Sequence, residues 1–374
     1  MIPRILNNTL RNKLFKGKAL IVIGPHQTGK TTLVNSIISE YANDSLILNC
    51  DDPMVKDSLT GASLATLKQI AGSKKILFID EAQRVENIGL TLKLIHDNID
   101  IQLIVSGSSA LDIASKINES LTGRKWEYRL FPFSYKELFD YYGFIDMKSQ
   151  LENRLIYGMY PDVINHPGEE KQVLNELAGS YLYKDVLEMD GVRKPELLSK
   201  ILVAISLQLG SEVSYNEISN LVQTDKNTVI KYIDLLEKAF IIFRLSSFRR
   251  NMRSEISSKR KIFFYDNGIR NAVISNFSNL NFRTDTGALW ENFLVSERLK
   301  RNLYSFDYCN SYFWRTVDQK EIDYIEEKNG KLYAYEFKWN SKKKVKIPKS
   351  FNINYPDASF EVISPENYDS FLME

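Results

Sequence analysis

The sequence predicts an α/β fold that begins with a doubly wound parallel sheet. Three short apolar runs, each ending in polar residues, are separated by stretches with helical periodicity. The runs cover residues 19–23, 75–79 and 101–105. The run 19–23 is apolar throughout, which is typical of a strand buried on both faces of a parallel sheet, and we expect all three runs to be strands of that sheet.

The chain is long enough for several cores. It has 374 residues, which is more than one domain usually contains. We expect four segments: an α/β core in 1–130, a helical lid in 131–200, a winged helix-turn-helix in 201–265 and a further α/β domain in 266–374. The lid prediction depends on helical stretches broken by Gly and Pro in the second segment.

Composition and charge narrow the class of protein. The 49 Lys and Arg residues nearly balance the 47 Asp and Glu residues, so net charge favours neither a nucleic acid nor an acidic partner. Cys50 and Cys309 are the two cysteines, and neither has a CxxC neighbourhood, which argues against disulfides and zinc. No apolar run approaches the ~20 residues that span a bilayer. We therefore expect a cytoplasmic protein without a membrane partner.

A glycine-rich loop follows the first apolar run. Residues 24–31 are Gly-Pro-His-Gln-Thr-Gly-Lys-Thr, and an amphipathic helix comes next. In such a loop the backbone N–H groups hold phosphate oxygens, Lys30 reaches the outer phosphates and the Thr31 hydroxyl faces Mg²⁺. The helix N-terminus adds its positive end. The pattern predicts that ATP and Mg²⁺ bind here.

Ten residues are predicted to bind the nucleotide, mostly through the backbone of this loop. They are Gly24, Pro25, His26, Gln27, Thr28, Gly29, Lys30, Thr31, Thr32 and Ser106. The side chain of His26 is given no role, because backbone amides do the binding in such a loop.

The other two apolar runs also end in polar residues at the carboxyl edge of the sheet, where ligands bind in open α/β sheets. Asp80 and Glu81 follow the second run, and Ser106 follows the third. We expect Asp80 to hold Mg²⁺ through water, Glu81 to orient or deprotonate the attacking water, and Ser106 to sense the outer phosphate. The alternatives are a helix cap at Asp80-Glu81 and a simple serine-rich turn at Ser106.

Four segments together resemble a known family. GPHQTGKT, ILFIDEAQ, IVSGSSA and SLTGRKWEYRLFPFSYKEL are similar to segments of prokaryotic AAA+ ATPases that carry a C-terminal domain of unknown function. The resemblance implies a P-loop NTPase sheet with a helical lid. It also makes Arg124 a candidate catalytic finger, acting within one subunit or between subunits of a homo-oligomer. The alternative for Arg124 is a surface salt bridge.

The segment between Ser214 and Phe248 has helix-turn-helix spacing: a short helix, a polar turn at 223–225 and a longer helix from Asn227 to Lys238. A strand at 240–245 and a basic stretch at 249–261 follow, as in a winged helix. Such a module would bind DNA through the basic stretch and the second helix, with Lys226, Asn227, Thr228 and Lys231 facing phosphates or base edges. The alternative is a module for protein contacts with a solvated basic loop.

The last third contains a hairpin with charged residues. Asn329-Gly330 separates two strand-like runs, and Asn-Gly favours a two-residue turn. In that register Asp323 lies opposite Glu336, and Glu321 lies opposite Lys338. Two carboxylates placed opposite each other repel, so a cation between them is expected, and Mg²⁺ is the natural choice.

Residues Ile322, Tyr324, Tyr335 and Phe337 are expected on the other, core-facing side of the hairpin. The carboxylate side resembles the PD-(D/E)xK nuclease superfamily, and a helix containing Glu291 and Glu297 is similar to the acidic first helix of that superfamily. The resemblance implies an Mg²⁺-dependent nuclease with Asp323 and Glu336 as metal ligands and Asp323, Glu336 and Lys338 in catalysis. The alternative is a charged hairpin in which Glu321 pairs with Lys338.

Two functional hypotheses follow. In the first, an ATPase with Lys30, Glu81 and Arg124 in catalysis controls a DNA-directed C-terminal half that is a candidate nuclease. In the second, the chain is a nucleotide-dependent switch that regulates a protein partner, and its nuclease-like domain is an inactive scaffold.

Overall fold

The structure is a computed structural model that describes residues 1–108, 121–181, 194–248, 260–316, 318–342 and 345–374. These residues form two compact units. The first unit comprises residues 1–133, with the gap given above, and 238–240. The second comprises the described residues of 134–181, 194–237 and 241–374. The predicted boundaries at 200 and 265 are therefore not unit boundaries.

The first unit is built on a five-stranded sheet. Its strands are β1 Ala19–Ile23, β2 Ser45–Asn49, β3 Ile76–Asp80, β4 Gln102–Gly107 and β5 Lys125–Arg129. All neighbours are parallel, in the order β2-β3-β4-β1-β5. Strands β1, β3 and β4 are buried along their whole length, as their apolar sequences predict. The predicted α/β fold with a parallel sheet is confirmed.

Within the described residues of this unit, five α-helices connect these strands or precede them. They are α1 Ile5–Lys13, α2 Lys30–Ile38, α3 Pro53–Leu59, α4 Leu64–Ala71 and α5 Ile88–Asn98. Short 3₁₀ turns lie at Ser39–Asp44 and Ala82–Arg84. Helix α2 begins directly after the glycine-rich loop and buries Leu33, Val34, Ile37 and Ile38. This apolar face fixes the start of the helix beside the end of β1.

The second unit contains twelve α-helices within its described residues. They are α6 Tyr135–Tyr142, α7 Phe144–Ser149, α8 Leu151–Tyr157, α9 Pro161–Asn165, α10 Glu170–Glu176, α11 Pro195–Leu207, α12 Tyr215–Leu221, α13 Lys226–Lys238, α14 Asn267–Val273, α15 Thr286–Tyr304, α16 Lys349–Asn354 and α17 Tyr368–Met373. A π-helical turn lies at Leu177–Tyr181 and a 3₁₀ turn at Leu280–Phe282.

Seven strands of the second unit form one mixed sheet. They are β6 Glu212–Val213, β7 Ile242–Ser247, β8 Arg260–Phe264, β9 Asn310–Arg315, β10 Glu321–Lys328, β11 Lys331–Phe337 and β12 Ser359–Ile363. The order is β12-β11-β10-β9-β7-β8-β6. Because β7 pairs with β9, the strands that follow helices α12 and α13 are continuous with those of the hairpin. Both segments therefore share one sheet.

The hairpin between β10 and β11 has the predicted turn and register. Asn329 and Gly330 both have positive φ, at 51° and 75°, as a two-residue primed turn requires. Tyr324 lies opposite Tyr335 and Lys328 opposite Lys331. The register of the hairpin is thus set by the turn residues that the sequence shows.

Against β9, strand β10 is irregular between Ile322 and Ile325. As a result Ile322 packs with Ile325 and Trp314, whereas Tyr324 contacts Phe371 on the other side. The prediction that Ile322 shares a face with the three aromatic residues of the hairpin was wrong, because the irregularity breaks the two-residue alternation.

No helix in the described part of the chain is long and apolar enough to cross a membrane.

Candidate functional site

The glycine-rich loop closes around its own lysine. Lys30, at the start of α2, is 4% exposed, and its Nζ donates hydrogen bonds of 2.9 Å to the carbonyl oxygens of Gly24 and Pro25. The Thr28 hydroxyl donates to the Pro25 carbonyl at 2.9 Å. The loop is therefore held in a tight turn at the carboxyl end of β1, with an ammonium group inside it.

Gly24 is required by close backbone packing. A Cβ atom at this position would lie 2.0 Å from the carbonyl oxygen of Leu130, the residue that follows β5. The Leu130 N–H in turn donates to the Ile23 carbonyl at 2.7 Å. The first glycine of the loop thus lets two neighbouring strand ends approach each other.

The carboxylate of Asp80 connects three elements. Asp80 ends β3 and is 4% exposed. Its Oδ2 accepts a 2.7 Å hydrogen bond from the Thr31 hydroxyl of α2, and its Oδ1 accepts from the Ser106 hydroxyl of β4. The N–H of Glu81 also donates to Oδ1, at 3.2 Å. The structure therefore brings together three residues that were predicted from separate motifs.

The Thr31 hydroxyl and the Asp80 carboxylate suit a magnesium ion. Both are oxygen donors, and Mg²⁺ is usually bound by one or two carboxylates together with water and substrate phosphates. The two groups are 2.7 Å apart beside the buried Lys30. The residues present fit a nucleotide–magnesium complex.

Glu81 is held by two residues that the sequence analysis did not single out. It follows β3 with φ 51°, in the left-handed region. Its Oε2 accepts a 2.5 Å hydrogen bond from Gln83 Nε2, and the same Nε2 donates to the Ser108 hydroxyl at 2.9 Å. The glutamine two residues after Glu81 is visible in the sequence, but nothing in the pattern gives its contacts.

Arg4 is another residue that the sequence analysis missed. It precedes α1, and its guanidinium donates to the carbonyl oxygens of Thr28 at 2.7 Å and Phe131 at 2.5 Å. It also lies 4.7 Å from the ring centroid of Phe133. Arg4 therefore ties the phosphate loop to the segment after β5. No local motif surrounds it, so only the fold reveals this contact.

Arg124 lies at the other edge of the sheet. It precedes β5, whose first residue pairs with Ala19 at the start of β1. The five residues of β5, at about 3.3 Å each, put roughly 16 Å between this edge and the phosphate loop. Arg124 Nε instead donates to Asp97 at 2.7 Å. The parallel strands place Arg124 at their amino ends, and its contact with Asp97 is the salt bridge that was the alternative for this residue. A role as a finger stays a prediction.

The hairpin of the second unit gathers the carboxylates and lysine that were predicted there. Lys338 Nζ lies 2.6 Å from Glu336 Oε1 and 3.8 Å from Asp323 Oδ2. Asp323 Oδ2 also accepts a 2.7 Å hydrogen bond from the Phe337 N–H. Burial raises the pKa of both Asp323 and Glu336, and a neighbouring carboxylate raises each pKa further.

A second, buried lysine belongs to the same cluster. Lys261, in β8, has a side chain that is 1% exposed, and its Nζ lies 2.8 Å from Glu291 and 2.5 Å from Glu321. The alternative in which Glu321 pairs with Lys338 differs from the structure, because Lys261 contacts Glu321 and Lys338 contacts Glu336. Of the two acidic helix residues considered, Glu291 joins this cluster, whereas Glu297 pairs with Lys300 at 2.6 Å.

Lysines supply the cation that the facing carboxylates need. Within the described ranges, no group of three or more His, Cys, Asp or Glu side chains is placed to hold a metal ion. Lys338 contacts Asp323 and Glu336, and Lys261 contacts Glu291. The geometry does not call for a metal ion here, and the Mg²⁺ site at Asp323 and Glu336 stays a prediction.

Helix α13 presents part of the predicted nucleic-acid surface. Lys226, Asn227 and Lys231 are exposed. Thr228 is engaged at the start of the helix, where its N–H donates to Asp225 at 2.9 Å and its hydroxyl at 2.6 Å. Of the basic stretch 249–261, residues 249–259 lie outside the described residues, and Lys261 is buried in the carboxylate cluster.

Family matches divide the chain into three parts. Residues 16–139 match the family described as "AAA domain". Residues 148–280 and 286–368 match two families described as "Domain of unknown function", DUF8612 and DUF4143. The chain therefore contains an AAA+ ATPase-like domain followed by C-terminal domains of unknown function. This confirms the coarser part of the resemblance drawn from the motifs.

Two relatives are similar over most of the chain. An uncharacterized protein of Haemophilus influenzae is 27% identical over 82% of this chain and 79% of its own length. The uncharacterized protein MJ1544 of Methanocaldococcus jannaschii is 24% identical over 99% of this chain and 89% of its own. A shorter similarity, 36% over 76 residues, links 20% of the chain to 16% of the replication factor C large subunit of Pyrococcus abyssi.

Solved structures match more weakly. Cdc6p from Pyrobaculum aerophilum covers 72% of this chain and 90% of its own, with 14% identity and a TM-score of 0.27. Pif1 helicase from Candida albicans covers 48% of each chain, with 16% identity and a TM-score of 0.28. The fold assignment of the first unit therefore depends on the AAA-domain match and the sheet described above.

Replacing Arg4 should loosen the phosphate loop. We expect Arg4→Ala to weaken binding of a non-hydrolysable ATP analogue by about tenfold, because one charge-assisted hydrogen bond contributes ~1.5–3 kcal/mol. Fluorescence titration of the analogue measures this affinity. Arg11→Ala is the control, since Arg11 lies on the same side of the unit but bonds to Glu40 and to the Ser36 carbonyl. Equal affinities in both variants would contradict a role for Arg4.

The pH dependence of stability should report on Glu291. Burial raises the pKa of Glu291 from 4.5 to about 8. Between these values the folded state binds more protons than the unfolded state, so Glu291 lowers stability as pH rises. We expect Glu291→Gln, which cannot ionise, to gain stability relative to wild type between about pH 5 and about pH 8. Thermal melts over this pH range measure the difference in stability, and Glu196→Gln, at an exposed glutamate, is the control. If the melting temperatures of wild type and Glu291→Gln changed with pH in parallel, the effect would be ruled out.

Proposed function

We propose that this protein binds ATP with Mg²⁺ and hydrolyses it at the carboxyl edge of the five-stranded sheet. The observation that carries the proposal is the buried Asp80 carboxylate, which the hydroxyls of Thr31 and Ser106 hold beside Lys30. The match of residues 16–139 to an AAA domain supports it independently. The phosphate loop, the metal carboxylate and a hydroxyl from the neighbouring strand then act on one nucleotide.

The residues of this site have different parts in the reaction. The loop amides bind the phosphates, and Lys30 moves from the carbonyl oxygens of Gly24 and Pro25 to the outer phosphates. Bound Mg²⁺ supplies charge stabilisation at the phosphates. Glu81 orients and deprotonates the attacking water, and Ser106 turns its single hydroxyl hydrogen from Asp80 to the outer phosphate when the nucleotide binds.

Two substitutions separate binding from hydrolysis. We expect Lys30→Ala to abolish ATP turnover and to weaken nucleotide binding, because it removes the positive charge at the outer phosphates. We expect Glu81→Gln to keep binding and to slow turnover by about a hundredfold or more, the usual contribution of a general base. Phosphate release and analogue titration measure the two effects. Glu40→Gln, at an exposed glutamate paired with Arg11, is the matched control.

The site assignment would be abandoned if both variants hydrolysed ATP at the wild-type rate.

We further propose that the nucleotide state controls a DNA-directed second unit. Its elements follow the order helix α11, strand β6, helices α12 and α13 and strands β7 and β8, which supports a winged-helix interpretation. Strand β8 lies between β6 and β7. The exposed Lys226, Asn227 and Lys231 begin the second helix of the turn, where such modules contact DNA. The rival is a switch that acts on a protein partner through the same face.

We assign no DNA cleavage to the hairpin. Its carboxylates already have Lys261 and Lys338 as cationic partners, at distances down to 2.5 and 2.6 Å. A buried carboxylate that has an ammonium partner has less need of a metal ion. This favours the interpretation of the nuclease-like region as a scaffold.

Charge reversal on α13 tests the DNA proposal. We expect the double variant Lys226→Glu, Lys231→Glu to bind duplex DNA at least about tenfold more weakly than wild type at moderate salt, because two phosphate contacts become repulsive. Fluorescence anisotropy over a salt series measures the affinity and its salt slope. The control is Lys93→Glu, Lys171→Glu, at exposed lysines on α5 and α10.

ATP turnover with and without duplex DNA completes this test. A DNA-directed protein should be stimulated by the duplex, and the α13 variant should lose that stimulation. Turnover that is indifferent to DNA, together with equal DNA affinities in the two double variants, would favour the protein-directed switch.

A further inference from the structure

The turn after β3 places a glutamine against the carboxylate that is proposed to activate water. We propose that Gln83 is a positioning residue for Glu81: its amide fixes the glutamate and ties it to the end of β4. This inference rests on the proposed ATPase function and names a residue of the same site that no sequence motif assigned a role.

The backbone beneath Gln83 is well anchored. Residues Ala82–Arg84 form a 3₁₀ turn, and Ala82 is fully buried. The N–H of Arg84 donates to the Glu81 carbonyl at 3.0 Å, and that of Val85 donates to the Ala82 carbonyl at 3.1 Å. A side chain that projects from such a turn starts from a fixed position, so Gln83 has little freedom to leave Glu81.

The chemistry of the contacts fixes the orientation of the amide. The ionised Glu81 carboxylate only accepts hydrogen bonds, so the Gln83 group that faces it must be the NH₂ group. That group has two hydrogens, which go to Glu81 Oε2 at 2.5 Å and to the Ser108 hydroxyl at 2.9 Å. One carboxylate oxygen of Glu81 is thereby held, and the other is left for the attacking water.

The amide oxygen of Gln83 adds nothing to this anchoring. Oε1 is buried, and within the described residues it has no hydrogen-bond partner. A buried acceptor without a donor is costly. The two contacts of the NH₂ group are therefore what hold the Gln83 amide in place.

Strand β4 anchors both carboxylates of the site. Ser106 lies in β4, and Ser108 directly follows the last residue of that strand. Ser106 holds Asp80, and Ser108 holds Gln83 and through it Glu81. Both serines are almost completely buried. The metal carboxylate and the hydrolytic carboxylate are therefore aligned to the same strand end.

The test separates turnover from nucleotide binding. We expect Gln83→Leu to lower kcat for ATP by about tenfold or more, part of what loss of a general base costs, while analogue affinity changes less than about twofold. Ser108→Ala, which removes only the anchor, should give a smaller loss of kcat in the same direction. Gln172→Leu is the matched control, because Gln172 donates to Glu176 at 3.0 Å on the exposed face of α10.

A double variant shows whether Gln83 acts through Glu81. In a Glu81→Gln background, adding Gln83→Leu should lower kcat by less than about twofold, since the carboxylate it positions is already gone. The inference is overturned if Gln83→Leu and Ser108→Ala both turn over ATP as wild type does, or if Gln83→Leu costs as much in the Glu81→Gln background as in wild type. If wild type itself hydrolyses no ATP, the proposed function fails and this inference falls with it.

Discussion

A buried carboxylate at the end of β3 determines how the first unit is organised. Asp80 is almost completely removed from water, and a buried charge is tolerated only when it is hydrogen-bonded or paired. Thr31 supplies one hydroxyl from α2 and Ser106 supplies another from β4. The sheet order makes this possible, because β4 lies between β1 and β3. The phosphate loop, the metal carboxylate and the neighbouring strand are therefore positioned by one side chain.

The two units satisfy their buried carboxylates in different ways. Hydroxyl donors stabilise Asp80 and leave its negative charge available to a cation, which a magnesium–nucleotide site requires. In the hairpin cluster, ammonium groups supply the partners: Lys261 for Glu321 and Lys338 for Glu336. Paired in this way, the cluster has less need of an external cation. This contrast is why we place the chemistry in the first unit and assign no cleavage to the second.

Local patterns in the sequence predicted much of the fold and part of the site. The loop 24–31, the strand ending at Asp80 and the hairpin register at Asn329-Gly330 depend on turn residues and apolar periodicity, which act over a few residues. Arg4 was missed, and Lys261 was placed in an exposed basic stretch, because the partners of both residues are distant in sequence. Arg4 bonds to Phe131, and Lys261 pairs with Glu321. The position of Arg124 relative to the phosphate loop could not be predicted, because it depends on the pairing of β5 with β1, which a local motif does not contain.

The magnesium–nucleotide site at Thr31 and Asp80 is tested best by measuring how nucleotide changes the thermal stability of the protein. Ligands that bind the folded state raise its melting temperature by mass action. We expect ATP with Mg²⁺ to raise the melting temperature of wild type more than ATP with EDTA does. Thr31→Ala and Asp80→Asn should each lose this magnesium-dependent increment in melting temperature. An increment that both variants retain in full would contradict the claim that Asp80 and Thr31 form the metal side of the nucleotide site.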